Sequence, residues 1–144
     1  MAQMQAVNWT YADKDPAALA ELRNRLVAAA RKTKMLRYSE LAEGVEFRLP
    51  QIRGGMPYFI TTWDWTGLDR RIIGEFLGYL SMESWSEGQF MISAIVIGGL
   101  DYEPSEHFFE WMKELGVLRN MKKETVWAFW SEQVKKAFAY YKSR

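Results

Sequence analysis

Phe90-Met91-Ile92-Ser93-Ala94-Ile95-Val96-Ile97-Gly98-Gly99 is the stretch on which the fold turns. Residues 90–97 are apolar except for Ser93, end on β-branched side chains and stop at a glycine pair. The run is too short and too glycine-bounded for an ordinary helix, and its lack of alternation matches a strand covered on both faces. It predicts a central strand, around which the other elements must be placed.

Working towards the N-terminus, Thr66 and Asp69 have the spacing of a capping box ahead of Leu68, Ile72, Ile73, Phe76, Leu77 and Leu80. This is the strongest helix signal in the chain. Within it Gly74 and Gly78 fall four apart on one face, each costing about 1 kcal/mol of helix propensity relative to alanine. Something must approach that face closely, either a packed element or a ligand. Before this helix, Val45, Phe47 and Leu49 alternate with Glu46 and Arg48, and Pro50 stops the pattern. The period predicts a half-buried strand, and residues 58–63 its hairpin partner across a loop with Gly54, Gly55 and Pro57. Earlier still, Ser39 is expected to cap a short helix over residues 40–43, closed by Gly44. Asp15-Pro16 is a helix start, followed by Leu19, Leu22, Leu26 and Ala30 on one face as far as Lys34.

Towards the C-terminus, Pro104 and Ser105 open a predicted helix carrying Phe108, Phe109, Trp111, Met112 and Leu115, with Gly116 as its left-handed cap. Asn120 is a cap for the last helix, where Val126, Trp130, Val134, Ala137 and Tyr141 line one side and Trp127 and Phe138 broaden it. The expected fold is α+β: a small antiparallel sheet of about three strands, residues 45–49, 58–63 and 90–97, packed with four to five helices. One domain over residues 1–144, with an irregular segment at 1–12, suits the length.

The composition narrows function further. Apolar residues are 49% of the 144 and aromatics 15%, enough for a substantial core. There is no cysteine and a single histidine, which excludes a disulfide framework, a thiolate metal site, a Cys nucleophile and a multi-histidine zinc centre. Residues 1–10 lack the pattern of a signal peptide, and the longest apolar stretch, residues 90–100, is far below the roughly 20 residues of a membrane span. A cytoplasmic protein with no membrane partner is expected.

The net charge of +1 conceals two basic ends around an acidic middle. Residues 21–37 hold Arg23, Arg25, Arg31, Lys32, Lys34 and Arg37 against Glu21, a net of +5. Residues 64–110 hold nine acids against Arg70 and Arg71, a net of −7, and residues 111–144 return to +5 with eight bases against three acids. Either the surfaces complement one another within the molecule or the ends offer a basic face to nucleic acid.

Catalytic patterns are weak. His107 has Glu103, Glu106 and Glu110 near it, but neighbours on one helix rarely complete a metal sphere. Ser105 and His107 point to different helix faces, and no nucleophile elbow is present. Glu46-Phe47-Arg48 resembles the acid-x-Lys element of metal-dependent nucleases, yet arginine holds its proton and alternation already explains the segment. No phosphate-binding glycine motif occurs. No residue is assigned a catalytic or metal role, and no cofactor is implied. The tryptophans, Trp63, Trp65, Trp85, Trp111, Trp127 and Trp130, instead suggest an aromatic patch serving as a subunit contact or a ligand groove.

Tyr38-Ser39-Glu40-Leu41-Ala42, Leu77-Gly78-Tyr79-Leu80-Ser81, Ser93-Ala94-Ile95-Val96-Ile97 and Pro104 with Phe108-Phe109 resemble a winged-helix-type module, as found in uncharacterised bacterial proteins and beside some restriction-type nucleases. The resemblance covers residues 16–116. It implies a recognition helix over residues 68–84 and a wing beginning at Phe90. Asp69, Glu75 and Glu83 against Arg70 and Arg71 depart from that pattern, because phosphate would repel such a helix. The chain is also similar in style to small orphan proteins carried on mobile gene cassettes.

The first functional expectation is a non-catalytic interaction protein, a homodimer or the partner of another protein, associating through Trp127, Phe129, Trp130, Phe138, Tyr140 and Tyr141. Phe129 and Tyr140 are surplus to one core-facing stripe. The alternative is nucleic-acid binding through Arg23, Arg31, Lys34, Lys135 and Lys136 on one face. The second alternative is a small molecule bound in an aromatic pocket.

Overall fold

The structure, a computed structural model, describes residues 9–98 and 106–142. Five α-helices and a two-stranded parallel sheet are present among the described residues. Helix α1 spans Pro16–Arg31 and buries Leu19, Leu22, Leu26 and Ala30. Its start is as expected: Asp15 Oδ1 accepts the Ala18 amide at 3.0 Å, with Pro16 in the first turn. The other carboxylate oxygen accepts the Arg48 amide at 2.6 Å, so one buried side chain both caps α1 and pins the loop beside it. Strand β1 (Leu36–Arg37) leads into α2 (Tyr38–Ala42), which begins two residues before the expected helix and is led by Arg37, whose amide donates to Glu40.

The hairpin is reduced to a single antiparallel bridge between Phe47 and Tyr58, with amide to carbonyl distances of 2.9 and 2.8 Å. Val45, Phe47 and Leu49 are buried and Glu46 and Arg48 exposed, so the alternation is real. Pairing stops because Arg53, Gly54 and Gly55 all adopt left-handed φ, at 51°, 62° and 85°, curling the connection into a 3₁₀ turn over Arg53–Gly55. Pro57 also offers no amide to extend the ladder.

Helix α3 spans Gly67–Gly88. The capping box forms in both directions: Thr66 Oγ1 accepts the Asp69 amide at 3.1 Å and Asp69 Oδ2 accepts the Thr66 amide at 3.0 Å. Tyr58 donates its hydroxyl to the same buried carboxylate, tying the loop to the helix start. The helix ends in a left-handed Gln89, whose amide bonds Trp85 O at 2.9 Å.

The stretch 90–97 is buried throughout, as expected, but is not a central antiparallel strand. It forms a 3₁₀ turn over Ile92–Ile95 and then β2 (Val96–Ile97), which pairs in parallel with β1 in the register Leu36 to Val96 and Arg37 to Ile97. The cause lies in neighbouring helices, whose side chains take the bonds a ladder would supply. Ser84 Oγ accepts the Ile92 amide at 3.0 Å and donates to Phe90 O at 2.8 Å. Ser81 Oγ accepts the Ser93 amide at 3.1 Å, Gln133 Oε1 the Met91 amide at 2.8 Å, and Ala94 O the Trp130 indole N–H at 2.8 Å. With these groups satisfied, the segment needs no flanking strands. The wing that the winged-helix resemblance starts at Phe90 is therefore occupied by a buried turn.

Helix α4 (Glu106–Glu114) closes at a left-handed Gly116 with φ of 80°, and Asn120 caps the approach to α5 (Lys123–Lys142) by accepting the Lys122 amide at 2.9 Å. The expected start of α4 at Pro104 and Ser105, and the side chains of Glu103, Glu106 and His107, lie outside the described residues. One apolar cluster joins α1, α2, the 45–60 loop and α3, including Leu22, Leu26, Phe47 and Phe76. A second gathers Met91, Phe109, Met112, Leu115 and Leu118. Helix α5 serves both, with Val134 packed against each. Among the described residues no helix is long and apolar enough to cross a membrane.

Candidate functional site

The glycine spacing in α3 leads to the site. A Cβ built on Gly78 would lie 3.2 Å from Trp111 Cη2 and 3.5 Å from Trp9 Cη2, so two indoles close on the helix there. A Cβ built on Gly74, one turn earlier, would meet nothing within 4 Å among the described residues. The close approach expected of both glycines thus holds at Gly78 alone. Above Gly74 a groove opens, with a volume of about 1010 Å³.

Its walls come from four separate parts of the chain. Trp9 and Tyr11 belong to the segment before α1, Tyr38 to α2, Trp65 to the loop before α3, and Trp111 to α4. The first wall is fixed by Glu75 of α3, whose Oε1 accepts the amides of Tyr11 at 2.7 Å and Ala12 at 3.1 Å. Trp9 packs on Tyr79 with ring centroids 5.4 Å apart. On the other side Tyr38 and Trp65 meet edge to face at 6.5 Å, and the Trp65 indole N–H is held by Thr62 O at 2.9 Å.

Among the described residues, three ionisable side chains other than tyrosine line the groove: Arg70, Arg71 and Glu75. Glu75 stands four residues after Arg71, the spacing of a helical ion pair. Its carboxylate instead faces the Tyr11 and Ala12 amides, and neither arginine has a salt-bridge partner among the described residues. The groove can accommodate a flat apolar body between rings and helix backbone, with positive charge at its margin.

A second, smaller cavity of about 130 Å³ is lined by Arg23, Glu83, Glu87 and Tyr141. Here the Arg23 guanidinium grips Glu83 bidentately at 2.9 and 2.7 Å, which raises its already high pKa. Burial, with the Glu87 carboxylate nearby, pushes the Tyr141 hydroxyl up to about 12. Its arginine is already taken up by Glu83, and its volume lies below the roughly 300 to 1,000 Å³ of common ligand sites, so it offers little to a ligand.

The residues expected to bind nucleic acid are largely engaged. Arg23 holds Glu83, Lys34 meets Glu40 at 3.6 Å and Lys136 meets Glu132 at 2.9 Å, whereas Arg31 and Lys135 are exposed with no ion pair among the described residues. Glu46 and Arg48 pair with each other at 2.7 Å on the exposed side of their segment. The C-terminal aromatics are mostly packed within the chain. Tyr140 and Tyr141 press on Phe90 at 5.1 and 5.7 Å, Phe138 joins the first apolar cluster, and Phe129 and Trp130 join the second. Phe129 and Tyr140, surplus to one stripe, are explained by a helix serving two clusters. Trp127 remains 42% exposed, its ring 5.0 Å from Trp130.

Sequence reasoning missed Trp9, Tyr11, Tyr38, Arg70 and Arg71 as groove residues; the Gly74 and Gly78 pair was the available signal. No protein-family model, no curated protein and no solved structure matches the chain.

Proposed function

We propose that this protein is a non-catalytic binder of a small organic molecule, held in the groove over Gly74. The observation that carries the reading is open space above a mid-helix glycine, enclosed by aromatic side chains. Gly74 is unfavourable in a helix by about 1 kcal/mol relative to alanine, and no neighbour forbids a side chain there. What the missing Cβ provides is access to the helix backbone. The volume of about 1010 Å³ is comparable with ligand sites, which commonly run from about 300 to 1,000 Å³.

Self-association through α5 has less support, since most of its aromatics already have intramolecular neighbours. Nucleic-acid binding has less support because three of its five expected cations have carboxylate partners. Association with a protein partner draws on a different surface, the 56–63 loop, where Met56, Phe59 and Trp63 are exposed.

The test is a titration with N-phenyl-1-naphthylamine, a neutral flat aromatic whose fluorescence rises on leaving water. Wild type binds it saturably at one site, and Gly74→Ala, which puts a methyl where the ring would meet the helix backbone, binds it more weakly. Gly74→Leu, folded by circular dichroism, places its side chain in the groove and loses the site. Equal saturable binding by Gly74→Leu, or no saturable binding by the wild type, would overturn the reading.

A further inference from the structure

We infer that the ligand of this groove is an aromatic anion, its ring stacked over Gly74 and its negatively charged oxygens on Arg70 and Arg71. The inference rests on the ligand-binding reading above and adds the chemistry of the molecule bound.

Charge is the first ground. Arg70 and Arg71 are the only Lys or Arg residues between Asp64 and Glu110, in a stretch that also holds nine acids. Where acids are so abundant, both guanidiniums nevertheless stand without a carboxylate partner among the described residues, and both line the groove. The nearest acid by helix spacing, Glu75, is held by two backbone amides of the N-terminal segment. Asp69, in the preceding turn, is buried and engaged by Thr66 and Tyr58. Among the described residues that line the groove, two guanidiniums stand against one carboxylate, a positive balance. A cationic ligand would meet repulsion there, whereas a carboxylate, sulfonate or phosphate group fits the planar fork of an arginine.

Shape is the second ground. Tryptophan and tyrosine walls favour a flat π-surface over a branched aliphatic body, because stacked and edge-on ring contacts add to area burial. The helix floor beneath has no side chain at Gly74, so a planar ring can reach the backbone.

Two probes that share one ring system separate the charge from the ring. N-phenyl-1-naphthylamine is neutral, and 8-anilino-1-naphthalenesulfonate is the same skeleton with a sulfonate. Fluorescence titration of the full chain at low salt is expected to give about tenfold tighter binding of the sulfonate, the scale of a hydrogen bond to a charged group. The margin should shrink at about 1 M salt, where the Debye length falls to about 3 Å. In the double variant Arg70→Gln/Arg71→Gln the margin is lost, the sulfonate losing more affinity than the neutral probe. Equal affinity of the two probes for the wild type, or a margin that survives the double variant, would overturn the anion assignment while leaving the groove as a binding site. Failure of both probes, or binding of both to Gly74→Leu, would overturn the binding reading itself and this inference with it.

Discussion

The hydroxyl of Ser84 accepts the amide of Ile92 at 3.0 Å, one of the side-chain bonds that hold the most apolar segment of the chain as a buried 3₁₀ turn. Both residues are buried, at 2% and 3% exposure, so water cannot replace the bond if it is lost. The same hydroxyl donates to Phe90 O, and one side chain thereby satisfies two polar groups of the turn.

Ser84→Ala leaves the Ile92 amide and the Phe90 carbonyl without this partner. Unfolding free energy in urea should fall by about 1 to 3 kcal/mol, the penalty for an unmet buried polar group. A loss within the error of the measurement would mean that the turn is held by packing alone.

Gln133 supports the turn from the opposite side, 3% exposed and accepting the Met91 amide at 2.8 Å. Gln133→Leu keeps the volume and removes the acceptor, and it should destabilise by a similar amount, about 1 to 3 kcal/mol. Native-state hydrogen exchange checks the cause: protection at Met91 should fall by more than protection elsewhere in the core. Uniform loss of protection would point to a general packing defect.

The helix starts were legible in the chain because their determinants are local. Asp15-Pro16 and the Thr66 and Asp69 pair act within a single turn, and the apolar faces of α1 and α3 follow a regular period. Alternation at residues 45–49 reported burial faithfully, yet burial is not pairing, and the left-handed run at Arg53, Gly54 and Gly55 decided how little of the hairpin formed. Strand β1 is two residues long and has no period to read. The turn at Ile92–Ile95 depends on Ser81, Ser84, Gln133 and Trp130, up to 42 residues away in the Met91 to Gln133 bond, and no local pattern signals them. The candidate site was half visible: Gly74 and Gly78 marked the floor. Its walls are assembled from Trp9, Tyr38, Trp65 and Trp111, which only the fold brings together.

Two glycines of α3 should respond oppositely to alanine. At Gly74 the added methyl meets open space, and stability should rise by about 1 kcal/mol through helix propensity. At Gly88 it would lie 2.6 Å from Phe90 Cε1 and 2.9 Å from Tyr140 Cδ2, so rings must shift, and a loss of about 1 to 3 kcal/mol is expected. Thermal melts of the two variants against wild type check both signs. A stabilised Gly88→Ala would show that α5 does not press on the end of α3 as described.

Alkaline pH provides a further check. Burial favours the neutral form of Tyr141 and pushes its hydroxyl up to about 12, against 10 for an ordinary tyrosine. The folded state then holds its proton more tightly than the unfolded chain. This contribution is complete below pH 10 and is lost as pH rises from about 10 through about 12. Urea midpoints across that window should drop more steeply for wild type than for Tyr141→Phe. Parallel curves would contradict the burial of this hydroxyl between α1, α3 and α5.

The claim that the groove over Gly74 is the binding site is tested most directly by the tryptophan indole N–H signals in a nitrogen-correlated spectrum, recorded as N-phenyl-1-naphthylamine is added. Trp9, Trp65 and Trp111 line the groove, whereas Trp63, 86% exposed, and Trp127, 42% exposed, stand outside it. Saturable shifts at Trp9, Trp65 and Trp111, with Trp63 and Trp127 unmoved, are the expected result. Shifts confined to Trp63 or Trp127 would place the aromatic-binding surface elsewhere and contradict the assignment.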